Sequence, residues 1–128
     1  MARTLLRVKI TVLGPGAWGT ALAKLAHKGG HEITLWGRPE RLAKITYSRQ
    51  NADYLPDIEL PSNWTLEPDI ETAISHAEGV ILAVPSSFFR AVASQIAGFE
   101  GIAVSVTKGI EHETGLTMAG ILEEITPE

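Results

Sequence analysis

The chain has 128 residues, 45% of them hydrophobic and 20% charged, with a formal net charge of −4. That length suits one domain with a proper core and is too short for two, and the mild acidity argues against a broad nucleic-acid or anionic-membrane surface. The absence of cysteine excludes disulfides, a thiolate nucleophile and cysteine-ligated zinc, and fits a reducing, cytoplasmic compartment.

Strand and helix signals alternate along the chain. An apolar run, Val8–Leu13, reads as a strand and feeds into Gly14-x-Gly16-x-x-Gly19. A helical run, Ala17–Lys28, follows at once, with Ala17, Leu22, Leu25 and Ala26 placed for one buried face and Gly29-Gly30 to end it. Glu32–Trp36 predicts a second strand, and Pro39–Arg49 a helix with proline in its first turn. Residues 51–63 contain Pro56 and Pro61 and read as an irregular connection. Trp64–Leu66 predicts a short strand, and Asp69 is placed to cap a helix reaching about Ala77. Val80–Val84 is apolar throughout, as a strand buried on both faces requires. Ser86 or Ser87 can cap a helix to about Ala97; a strand at Ile102–Val106 and a helix from about Gly115 to Ile125 complete the chain. No run approaches the length of a membrane span, and the start lacks the apolar stretch of a signal peptide.

Five strands separated by helices predict an α/β fold in a single domain. The expected architecture is a doubly wound parallel sheet of Rossmann type with strand order 3-2-1-4-5. In such a sheet a ligand lies beyond the carboxyl ends of the strands, at the switch point between the first and fourth.

The glycine motif is informative because of its strand-before, helix-after context. Gly14 allows a sharp turn off the strand, Gly16 leaves room for a pyrophosphate, and Gly19 lets the helix approach the strand. The helix N-terminus then offers amides and a positive dipole end to phosphates. Glycines at such a junction also serve packing alone. At the tip of the second strand, where NAD enzymes usually carry an acid for the ribose 2′-hydroxyl, the chain reads Leu35-Trp36-Gly37-Arg38. Arg38 falls 19 residues after Gly19. A guanidinium there suits a forked contact with a 2′-phosphate, favouring NADP over NAD; the plainer reading is a solvated arginine opening a helix. After the fourth strand come Pro85-Ser86-Ser87-Phe88. Pro85 ends the strand, and Phe88 is placed either against the cofactor or, with Phe89, in the core. Thr107-Lys108-Gly109 follows the fifth strand at the same edge, where an ammonium can polarise a carbonyl or bind a phosphate; a surface lysine in a glycine turn fits equally. His27, His31, His76 and His112 show no metal-ligand spacing and read as surface residues, so no metal site is expected. Glu111, Glu113, Glu123 and Glu124 read as solvated acids.

Together these stretches resemble the N-terminal half of bacterial NAD(P)-dependent glycerol-3-phosphate dehydrogenase. The resemblance is carried by 12–21, 30–38, Asn51-Ala-Asp-Tyr-Leu-Pro56, Leu82–Ser86 and Thr107-Lys-Gly-Ile110, which fall in family order. It implies reversible hydride transfer between NAD(P)H and dihydroxyacetone phosphate, giving sn-glycerol 3-phosphate for phospholipid synthesis. It places Ala17 and Trp18 at the pyrophosphate turn, Arg38 at the adenosine end, Phe88 near the cofactor, and Lys108 in contact with cofactor and substrate. Pro15 departs from the family, which usually has a small residue there; proline removes one amide from the turn and fixes φ. The family's helical substrate domain, with its general acid–base lysine and its phosphate-gripping residues, is expected to be absent from this chain. The chain by itself is therefore expected to bind cofactor without being catalytically competent, and to self-associate through apolar surface meant for that domain. The alternatives are a non-catalytic NADP-binding module and the cofactor half of a related hydroxy-acid dehydrogenase.

Overall fold

The computed structural model describes residues 7–48, 50–51, 55–61 and 63–125. In chain order these form β1 (Lys9–Leu13), α1 (Ala17–Lys28), β2 (Glu32–Trp36), α2 (Pro39–Ser48), β3 (Gln50–Asn51), β4 (Leu55–Glu59), β5 (Thr65–Glu67), α3 (Ile70–Ile74), β6 (Gly79–Leu82), α4 (Ser86–Gln95), β7 (Ile102–Ser105) and α5 (Met118–Ile125). Five strands make one sheet in the order β5-β2-β1-β6-β7, and every neighbouring pair is parallel. Numbered among themselves, these strands stand in the expected order 3-2-1-4-5.

The stretch at 51–63 departs from expectation. Instead of an irregular connection it contributes to a separate antiparallel pair, β3 with β4. Pro56 lies within β4; a two-stranded pair has open edges on both sides, where a missing amide costs little.

β1 is central and buried on both faces. Val12 and Leu13 are both fully buried, and consecutive strand residues point to opposite sides. Leu13 packs with Val80, Leu82, Phe89 and Ile121, the side covered by α4 and α5. Val12 packs with Ala23, Ile33, Leu35 and Trp64, the side covered by α1 and α2. Hydrophobic burial on both faces of the middle strands fixes register, because a one-residue slip would exchange the two faces.

Helix α1 has the predicted span but not the predicted face. It buries Gly19, Thr20 and Ala23, while Leu25 is 67% exposed. Small side chains occupy the contact because the helix backbone comes very close to the sheet there. Asp69 caps α3 as read, its carboxylate accepting from the Thr72 amide at 2.9 Å and hydroxyl at 2.5 Å. These bonds hold the Asp69 carboxyl below its ordinary range, the hydroxyl first. α3 is shorter than expected, ending at Ile74, and is tied to the sheet where the buried Thr11 hydroxyl donates to the Ala73 carbonyl at 2.6 Å. Neither Ser86 nor Ser87 caps α4: Pro85 occupies the N-cap, with no side-chain hydrogen bond. Proline's fixed φ suits that extended position.

Candidate functional site: the carboxyl edge of the sheet

The strand ends deliver four segments to one edge. β1 leads into Gly14–Gly19, β2 into Gly37-Arg38, β6 into Ala83–Phe88 and β7 into Val106–Gly109. The structure therefore brings all the site residues read from the sequence, Gly14, Gly16, Ala17, Trp18, Gly19, Arg38, Pro85, Phe88 and Lys108, to that edge.

The turn after β1 is tightly built. Gly14 has φ +119°, and a Cβ there would lie 2.7 Å from the Ala83 carbonyl oxygen; only glycine combines that conformation with that approach. Its amide donates to the Trp36 carbonyl at 3.0 Å, and the Ala83 amide donates to the Leu13 carbonyl at 2.8 Å. The turn is thus fastened to the ends of both flanking strands. A Cβ on Gly19 would run into the Gly14 carbonyl oxygen and lie 3.1 Å from the Ala83 methyl. Gly16 is different. It is the N-cap of α1 with φ −73° and ψ −177°, a backbone open to any residue, and a Cβ there would meet nothing within 4 Å. Gly14 and Gly19 are required by the fold itself; Gly16 faces free space at the mouth of a helix. The first amides of α1 have no intrahelical acceptor, its first turn holds no acidic side chain, and Trp18 is 60% exposed beside it. That is the local chemistry of an anion site.

Pro15 fits because of Gly37. A Cβ on Gly37 would lie 2.5 Å from the Pro15 Cγ, so the pyrrolidine ring lies directly on the Gly37 backbone. This contact ties the glycine turn to the tip of β2, where Arg38 begins. Arg38 is exposed, and its guanidinium carbon lies 5.7 Å from the centroid of the Phe88 ring. The two phenylalanines divide the readings made for them: Phe89 is fully buried and Phe88 is 49% exposed at the edge.

Lys108 is exposed, on a turn anchored at Thr107. The Thr107 hydroxyl donates to the Val84 carbonyl at 2.7 Å, and Gly109 adopts φ +113° beside the Ser86 side chain. Past the turn, Glu111 is not the solvated acid expected from sequence. Arg90 on α4 grips it in a fork, Nε and Nη2 donating at 2.7 and 2.8 Å, and gives Nη1 to Glu124 of α5 at 2.6 Å. The Thr114 hydroxyl donates to Glu111 at 2.6 Å. Nothing in the local pattern of isolated acids marks Arg90 as their partner, because it lies 21 residues away from Glu111.

The Arg90 hydrogen bonds, then that of Thr114, pull the Glu111 carboxyl from its ordinary 4.5 down to about 2. A depressed carboxyl pKa means stability that is complete above the ordinary value and lost as pH falls towards the folded one. Glu111→Gln is therefore expected to lower the melting temperature at neutral pH and to flatten its decline between roughly pH 5 and pH 2. Melting curves of both chains across that range check this.

Histidines are less uniform than read. His31 accepts from the Val8 amide through Nδ1 at 3.2 Å, and His27 meets the buried Trp64 ring edge-on at 6.2 Å. Among the described residues no group of three or more His, Asp or Glu is placed to hold a metal, and no helix is long and apolar enough to cross a membrane. A cavity of about 200 Å³ lies away from this edge, under α3, lined by residues including Thr11, Thr34, Thr65 and His76.

With this geometry in place, comparison with known proteins is specific. The family model described as NAD-dependent glycerol-3-phosphate dehydrogenase N-terminus matches residues 9–128. A glycerol-3-phosphate dehydrogenase (NAD(P)+) of Streptococcus pyogenes is 37% identical over 123 residues, 93% of this chain and 36% of that protein. The enzyme of that name from Halorhodospira halophila is 44% identical over 108 residues, 83% of this chain and 32% of that protein. The chain thus spans about a third of the length of the curated relatives it matches. In structure, a glycerol-3-phosphate dehydrogenase of Coxiella burnetii superposes with a TM-score of 0.87 at 22% identity, covering 95% of this chain and 38% of that one, which speaks to the fold. The sequence motifs, the sheet order and these matches agree: the chain belongs to the family of the NAD-dependent glycerol-3-phosphate dehydrogenase N-terminus.

Proposed function

We propose that this chain is the cofactor-binding part of an oxidoreductase acting on dihydroxyacetone phosphate and sn-glycerol 3-phosphate, and that it prefers NADP(H) to NAD(H). The observation that carries the dinucleotide reading is Gly16: a turn otherwise closed by backbone contacts leaves open space at a glycine that neither its conformation nor any neighbouring atom requires. The residues fit the group. Gly16, Ala17, Trp18 and Gly19 would receive the pyrophosphate on the amides opening α1, at the turn that Gly14 shapes, Arg38 with Phe88 beside it the adenosine end, and Pro85 and Lys108 the rest of the crevice. When bound, the nicotinamide supplies or accepts the hydride. The protein's own part is to orient and to shield. The anchored Thr107–Gly109 turn holds an ammonium at the crevice, where it can draw charge from a carbonyl oxygen or hold a phosphate.

Hydride transfer to a ketone also needs a proton donor within hydrogen-bond reach and a firm hold on the substrate. We propose that a longer protein supplies these from outside the 128 residues, in keeping with the length of the relatives. A soluble cytoplasmic setting and self-association through exposed apolar residues such as Ile102, 73% exposed, belong to the same proposal.

The cofactor preference rests on Arg38 standing where a ribose-binding acid would. Arg38→Ala is expected to reduce the ratio of NADPH to NADH affinity by about tenfold to a hundredfold, the range of a charge-assisted bond worth ~1.5–3 kcal/mol. Fluorescence titration of both reduced cofactors reads that ratio; an unaltered ratio would count against the NADP assignment.

A further inference from the structure

We infer that Phe88 is a specificity-determining residue that acts by positioning Arg38: its ring holds the guanidinium at the end of β1, ready to meet a 2′-phosphate. The inference rests on the proposed dinucleotide site and adds to it a residue that selects between the two nicotinamide cofactors.

The backbone on both sides is fixed. Arg38 follows Gly37, which is buried under the Pro15 ring. The Arg38 carbonyl accepts from the Arg41 and Leu42 amides, both at 3.0 Å. Opposite, the Phe88 amide donates to the Pro85 carbonyl at 2.9 Å, and the next residue, Phe89, is fully buried. Only the Arg38 side chain is left to be placed. A long exposed arginine loses much rotamer freedom when a ligand must order it. No carboxylate among the described residues pairs with Arg38; its contact is the Phe88 ring at 5.7 Å.

That partner is chemically apt. An acid would fix Arg38 by consuming the N–H donors and the charge that a phosphate needs. An aromatic ring takes one face of the guanidinium, while the donors lie in its plane and stay free for a forked contact. The pair is also well sited. β2 and β6 flank β1 on either side, about 10 Å apart at ordinary strand spacing. Arg38 beyond β2 and Phe88 beyond β6 therefore meet across the end of β1, whose turn is Gly14–Gly16. A residue in the first turn of α4, just beyond β6, in this way sets the readiness of a phosphate contact made from just beyond β2.

The experiment uses the whole chain and titrates NADPH and NADH against the unsubstituted protein, Phe88→Leu, Phe88→Tyr, Arg38→Ala and the Phe88→Leu/Arg38→Ala pair, with melting curves to establish folding. Phe88→Leu is expected to lower the NADPH-to-NADH affinity ratio by about fivefold, the upper range of an exposed cation–π contact. Phe88→Tyr is expected to keep the ratio, and Phe88→Leu to leave it unchanged once Arg38 is alanine. Equal weakening of both cofactors by Phe88→Leu would overturn the inference, since a ring that merely touches the cofactor gives that result. So would a ratio that falls just as far in the Arg38→Ala background. If the unsubstituted chain binds neither cofactor, the dinucleotide site itself is refuted, a result distinct from binding with an indifferent Phe88. If it binds both equally, Arg38 reads no phosphate, and the positioning role falls with it.

Discussion

Gly16→Val is expected to abolish detectable dinucleotide binding in a chain that remains folded. The separation of the two effects follows from the geometry. Gly16 has φ −73°, so valine meets no backbone strain, and a Cβ finds nothing within 4 Å. The folded state needs no rearrangement; it loses at most the modest advantage of glycine over valine at an N-cap. The branched side chain instead fills the space at the helix mouth that a pyrophosphate would occupy, and stands between it and the amides. Excluding the pyrophosphate from its amides is expected to weaken binding by at least about a hundredfold, or roughly 2.7 kcal/mol. Thermal melting together with cofactor titration checks both halves. A folded Gly16→Val chain that binds as tightly as the original would make the glycine turn a packing junction and nothing more.

Gly19→Ala is expected to do the reverse, damaging the fold through a smaller change. The added methyl would collide with the Gly14 carbonyl oxygen and press on Ala83. Neither can retreat readily. Gly14 is held by its bond to Trp36, and the Ala83 amide by its bond to Leu13. Alanine's better helix propensity, worth about 1 kcal/mol, opposes the clash without cancelling it. Overpacking of this kind costs typically ~1–3 kcal/mol and sometimes more. In a domain of this size that corresponds to a fall in melting temperature on the order of 10 °C. An unchanged melting temperature would show that α1 can move off the sheet at little cost, contrary to the tight backbone contact described.

The contrast between these two glycines shows what was legible in the sequence. The strand-turn-helix context predicted separate jobs for Gly14, Gly16 and Gly19, and the geometry sets Gly14 and Gly19, which the fold requires, apart from Gly16, which it does not. The parallel strands were readable from strand signals alternating with helical ones, and β6, beside the central strand, stood out as the unbroken apolar run at 80–84. What sequence missed depends on partners remote in the chain. Leu25 fits a helical stripe, yet the buried face was decided by how closely Gly19 lets α1 approach. Prolines 56 and 61 argued for an irregular connection, yet a two-stranded pair has edges enough to accept Pro56. Glu111 is an ordinary acid until Arg90 is brought beside it. The Arg38–Phe88 contact is of the same kind: each residue was singled out separately, and only the sheet order, placing β2 and β6 on either side of β1, brings them together. The Tyr54 part of the family match lies outside the described residues.

The central claim is that a dinucleotide lies on the turn between β1 and α1. It is tested most directly by titrating NADPH into isotopically labelled protein and following backbone amide shifts residue by residue. Saturable shifts are predicted at Gly14, Gly16, Ala17, Trp18 and Gly19, with further shifts at Arg38, Phe88 and Lys108. Shifts confined to the threonine-lined cavity under α3, or none at all at saturating cofactor, would contradict it.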